Sequence, residues 1–181
     1  MAVKIDYERF ITENIRPIIE PCKKRSNKKQ NRALFIEEAM VEAVKGIMLV
    51  GVNDLLGTIE EPVPMINFNE QNTDDVLTPV ISVSISEQTN QELLAHLKAY
   101  KVYITIPIRD NNDGFFYSWT CYCALCRIFT DNHTLGGVVD KAEITERRMK
   151  PPVKKYNREK WEVCLTLRAT VNRRVYASNW Y

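Results

Sequence analysis

Residues 161–171 read WEVCLTLRATV, and the reading of the whole chain starts from them. Trp161, Val163, Leu165, Leu167, Ala169 and Val171 alternate with Glu162, Cys164, Thr166, Arg168 and Thr170. Successive side chains of a strand point to opposite faces, so this alternation predicts a strand with one face in a core and the other polar. The same pattern recurs upstream. In residues 80–86, VISVSIS, Ile81, Val83 and Ile85 alternate with serines. In residues 100–108, YKVYITIPI, Val102, Ile104, Ile106 and Ile108 alternate with Lys101, Tyr103 and Thr105. Pro107 has no N–H to give a ladder, which predicts that this strand ends there or lies on an edge. A further strand is expected from Val138 to about Arg148, with Ala142 and Ile144 on one face.

Between the second and third of these strands lies a turn, Asp110 to Gly114, with Asp113 placed to cap a helix. The helix, expected over about 115–130, is apolar nearly all round: Phe115, Phe116, Trp119, Tyr122, Leu125, Ile128 and Phe129. Such a helix needs cover on more than one side. The sheet is expected beneath Phe116 and Trp119, and the other side calls for the N-terminal helices or a neighbouring subunit. Thr134-Leu135-Gly136-Gly137 is expected to break the helix, its glycines leaving with positive φ. The order β-β-α-β-β predicts an α+β fold: a mainly antiparallel sheet covered on one face by helix.

Towards the N-terminus, Ile11, Ile15, Ile18 and Ile19 predict a helix over 5–22, capped by Asp6 and interrupted by Pro17. A polar basic connection follows at 23–32. Ile36, Met40, Val44 and Ile47 predict a second helix from about Asn31 to Val50. Residues 57–79 are rich in Pro, Asn and Asp and read as a long connection. The chain thus divides near residue 78, into an N-terminal helical segment and long loop (1–78) and an α+β domain (79–181). Residues 91–98 read as a helical turn or part of a hairpin loop.

Composition narrows the function. The chain is 45% hydrophobic and 27% charged, with a net charge of +2, which gives no global case for nucleic acid or membrane. Five cysteines, three of them within 121–126, read as reduced thiols in a cytosolic setting. No secretory leader and no membrane span are expected. Cys121, Cys123 and Cys126 invite a metal reading. At about 100° per residue on a helix, however, Cys121 points away from the other two. Cys126 and His133 form the other candidate, a Cys/His nucleophile, but nothing supplies an orienting third group. No nucleotide loop or hydrolase motif is present. The expectation is a non-enzymatic protein without cofactor.

Two basic runs remain, 23–32 and 147–160. Arg147, Arg148, Lys150, Lys154, Lys155, Tyr156 and Arg158 are the candidate interface. They belong to a Pro-containing hairpin expected at 149–158 and the strand end before it. Basic side chains beside aromatics suit a protein partner or a phosphate backbone, and on a hairpin tip they also suit a merely solvated face.

From Pro79 to Val171 the chain resembles the phage tail-terminator (tail-completion) family. Four features carry this: the strand VISVSIS at 80–86, the strand YKVYITIPI at 100–108, a helix ending in TDNHTLGGVVD at 130–140, and the late strand WEVCLTLRATV at 161–171. The TLGGVVD piece at 134–140 is the most family-like. The resemblance implies a structural virion protein that forms a homo-oligomeric ring, typically a hexamer, without catalytic residues or cofactors. It also implies partners: tail tube protein, tail sheath, and the head connector or stopper, with genomic DNA passing through the lumen. Location in the virion neck, after assembly in the host cytoplasm, goes with this. Other readings are a different neck component, or a DNA-contacting protein that uses the basic hairpin.

Overall fold

The computed structural model describes residues 32–86, 97–153 and 159–172. The helix expected over 5–22, the caps Asp6 and Asn31 and most of the 91–98 segment lie outside them. Among the described residues the elements run α1 (Arg32–Ile47), a π-helical turn (Met48–Val52), α2 (Asn53–Leu56), β1 (Met65–Ile66), β2 (Val76–Leu77), β3 (Val80–Ile85), β4 (Leu97–Arg109), α3 (Gly114–Asp131), a 3-10 turn (Leu135–Gly137), β5 (Lys141–Lys150) and β6 (Lys160–Asn172).

β3, β4, β6 and β5 form one antiparallel sheet in that order, so the fold is the α+β arrangement that the alternation predicts. Register puts Val83 opposite Val102, Val102 opposite Leu167, and Leu167 opposite Ile144. These apolar positions share one face. α3 lies across β6 and β5 on that face, and α1 packs against β3 and the 3-10 turn. The core between the layers holds Tyr100, Ile104, Ile106, Leu165 and Leu167 from the sheet, with Leu125, Ile128 and Phe129 from α3. Met40, Val44, Ile47 and Leu77 belong to the same buried cluster, so residues on both sides of position 78 share one core. Each large aliphatic side chain buried there contributes roughly 1.5–3 kcal/mol.

Four local expectations are corrected. Pro107 does not end β4: the strand continues to Arg109, with Pro107 opposite Glu162 on the β6 side and a local open edge on the other. The reason is register. The amide of Ser86 donates to the Ala99 carbonyl directly opposite, so alternation turns the backbone of odd-numbered β4 residues towards β3. β3 begins at Val80, opposite Thr105, and has not yet begun at the level of Pro107. The missing donor therefore has no ladder partner to lose, and the Pro107 carbonyl accepts from Asn72 Nδ2 at 2.8 Å.

The second helix does not end at Val50. The chain passes through the π-helical turn and stays helical to Leu56. A Cβ on Gly51 would stand 3.2 Å from Ile128 Cδ1, so the bare glycine lets this turn approach α3.

The third correction concerns the exit from α3, where Asn132 closes the helix. Its backbone amide donates to the Ile128 carbonyl at 2.9 Å, and its side-chain Nδ2 to the same oxygen at 3.0 Å. Gly136 and Gly137 do take positive φ, 70° and 86°, but in the 3-10 turn that follows. Val138 and Val139 are buried just after this turn, and the strand starts only at Lys141. Asp113, lastly, holds the N-cap position of α3 without a side-chain cap bond; its backbone carbonyl accepts from the Tyr117 amide at 2.9 Å.

Candidate interaction surface

β5 carries three of the expected interface residues and separates them. Arg147 lies opposite Leu165 and so points to the helix-covered face, while Arg148, opposite Cys164, and Lys150, opposite Glu162, point to the other. A bulge at Thr145 sets this phase: the register shifts between Ile144 and Glu146. Thr145 Oγ1 donates to the Thr166 carbonyl at 3.2 Å. Lys154, Lys155, Tyr156 and Arg158 lie outside the described residues, so the hairpin tip is not part of this geometry.

On the other face, which no helix covers among the described residues, the cations of β5 stand beside carboxylates. Arg148 pairs with Glu146 at 3.6 Å, Lys150 with Glu162 at 3.4 Å, and Lys141 with Glu143. The carboxyl of Glu143 is held below its usual range by its hydrogen bond with Lys141 and by that cation's charge. Such exposed pairs add little stability. Their consequence is local neutrality: this stretch of β5 offers a phosphate backbone no unopposed row of charge.

The helix-covered side has a different character. Ser118, Cys121, Leu125, Ile128 and Phe129 turn inward from α3 and are buried. Trp119 was expected over the sheet and instead faces out, 52% exposed, and Phe115 one turn earlier is 57% exposed. Residues four apart share a helix face, so the two rings form a ridge along α3. Neighbouring rings fix it. Phe115 meets Trp161 edge to face at 5.6 Å between centroids, and Trp119 stacks on Tyr122 at 5.7 Å with 19° between planes. Trp161 is held in turn by its indole N–H, which donates to Asp110 Oδ1 at 3.1 Å. The ridge is thus an apolar surface whose rings already have partners, so little side-chain freedom remains to be lost on docking.

The cysteines of α3 sit in three environments. Cys121 is buried, and burial pushes its thiol up to about 12, which keeps it protonated at neutral pH. Cys126 is half-buried, and burial raises it too, against the lowering effect of the nearby Arg147. Cys123 is exposed. The described residues contain no group of three or more His, Cys, Asp or Glu side chains placed to hold a metal ion. No helix among them is long and apolar enough to cross a membrane.

The sequence reading missed Phe115 and Trp119 as site residues. Their spacing was visible, but periodicity in a helix apolar all round does not say which side is left bare. Comparison with known protein families and with curated proteins found no match for the chain.

Proposed function

We propose that this chain is a structural protein of a phage-type tail, whose copies close into a ring that caps the tail tube and presents a docking face to the head connector. The observation that carries the reading is the bare ridge of Phe115 and Trp119 on α3. Aromatic side chains of this kind supply much of the affinity in protein interfaces, and a monomer leaves their apolar area in water. When such a ridge meets a different surface on the next copy, the contact is heterologous, and repetition closes it into a ring.

Two further points support this reading. The four sequence features that resemble tail terminators lie in β3, β4, the end of α3 with its 3-10 turn, and β6. The ion-paired surface of β5 also suits docking against a protein better than gripping DNA. In the ring the chain belongs to the virion neck. Its neighbours there are copies of itself, tube protein, sheath and the connector or stopper, and DNA only passes through.

Native mass spectrometry at micromolar concentration, with and without tube protein, tests the proposal. The expected result is a closed ring, about six copies, from the wild-type chain. The Phe115→Ser, Trp119→Ser double variant is expected to stay folded and lose the ring. A wild-type chain that forms no ring under either condition overturns the reading. DNA binding that weakens steeply with salt would favour the nucleic-acid alternative.

A further inference from the structure

The two edges of the sheet are built differently. β5 carries Lys141, Glu143, Glu146, Arg147, Arg148 and Lys150 and a bulge at Thr145, devices that discourage another strand from pairing. β3 has none of them. It is regular, uncharged and bulge-free, and among the described residues its outer edge pairs with no strand. The inward bond of Ser86 fixes the phase: Ser82 and Ser84 exchange bonds with β4, so the amides and carbonyls of Ile81, Val83 and Ile85 point outward. Ile85 is 51% exposed, although its side chain belongs to the helix-covered face.

The sequence of this edge also specifies its partner. Ile81-Ser82-Val83-Ser84-Ile85 is a palindrome centred on Val83. Turned by a two-fold axis through Val83, the segment meets itself antiparallel. Val83 faces Val83 of the second copy, and Ile81 faces Ile85. Each of these outward pairs exchanges two backbone bonds. Aliphatic side chains then meet aliphatic ones on the helix side, serines meet serines on the other, and no charges are brought together.

We propose that two copies of this chain join edge to edge through β3, forming one continuous eight-stranded sheet, two times the four strands of each copy. The contact is isologous, so it pairs copies and does not by itself propagate into a ring. It therefore stands independently of the tail-capping reading.

Sedimentation equilibrium and cysteine cross-linking on the full chain test it. Val83→Pro removes an outward donor and leaves every bond to β4 in place, so the dimer is expected to weaken at least ~10-fold while the chain stays folded. Ser82→Lys and Ser84→Lys, which put charge beside the edge, are expected to act in the same direction without touching the core. Register is read separately. Ser82 lies opposite Ser84 of the second copy at a non-hydrogen-bonded site, where Cα atoms stand about 4.5 Å apart and a disulfide fits. A mixture of Ser82→Cys and Ser84→Cys chains is expected to give a dimer linked between these two positions, and neither variant alone should link through its new thiol. A wild-type chain with no even-numbered species, a dimer unchanged by both lysine variants, or no such link in the mixture overturns the proposal. Phe115→Ser, Trp119→Ser leaves this contact intact, which separates its failure from failure of the ring.

Discussion

At Gly114 the space for a side chain is already taken. An added Cβ would stand 2.6 Å from the Arg109 carbonyl oxygen and 3.0 Å from Trp161 Cδ1. Since the first neighbour is backbone, relief requires β4 and α3 to part. Gly114→Ala is therefore expected to destabilise the fold by about 1–3 kcal/mol, measured by denaturant unfolding. It should also loosen Trp161, visible as a change in its fluorescence. Cys121 makes a second prediction at this scale. Its folded-state value, about 12, lies above the ordinary thiol value of 9.0, so the folded state holds the proton longer than the unfolded one. Its contribution is complete below about pH 9 and is lost as pH rises from there towards 12. Thermal unfolding followed from pH 7 to pH 11 should show this loss in the wild type, and Cys121→Ala should flatten it. The composition hinted at buried thiols, but the position of each on α3 was not legible: residues two and three apart on a helix meet different surroundings.

Among the elements, β1 depends on a side chain as well as on a strand. Asn53 Nδ2 donates to the Ile66 carbonyl at 2.8 Å, and Asn53 Oδ1 accepts from the Ile66 amide at 2.7 Å. The amide of Asn53 thus copies the edge of a neighbouring strand, with β2 on the other side of β1. Asn53→Ala is expected to cost about 1–3 kcal/mol and to speed hydrogen exchange at Ile66 more than at Val102 in the central sheet. At this scale the long strands and α3 were legible, because alternation and helical spacing are local properties. Pro107 left two readings open, a strand end or an edge, because its tolerance depends on where β3 begins, which is a property of another segment. Val138 and Val139 were misread for a related reason: two adjacent valines suit a strand, but here both fill the core from a turn closed by the Thr134 carbonyl, which accepts from Gly137 at 3.0 Å and Val139 at 3.2 Å. Parallel pairing of β1 with β2 rests on two residues each, too few for any periodicity to register.

Across the whole molecule, the surface divides into regions of different use. The sheet face bearing Arg148 and Lys150 is balanced by Glu146 and Glu162, whereas α3 presents Phe115 and Trp119. Sequence reading gave weight to the basic run because charge is conspicuous in a string of letters. The fold splits Arg147 from Arg148 by the alternation of one strand and pairs the cations on the polar side, which no single-segment pattern foretells. What was legible was that a helix apolar all round needs cover beyond one sheet, and the π-helical turn and α2 pack against α3. Phe115→Ser and Trp119→Ser are accordingly expected to raise solubility and lower the unfolding midpoint only modestly, since these side chains are more than half exposed in the single copy and each loses one ring contact.

Electron-microscope images of the purified wild-type chain, alone and mixed with tail tube protein, test the central claim most directly. Closed rings with a lumen, seated at the ends of tubes when tube protein is present, are the predicted result. Isolated single copies and pairs, with tube ends left bare, would contradict the account.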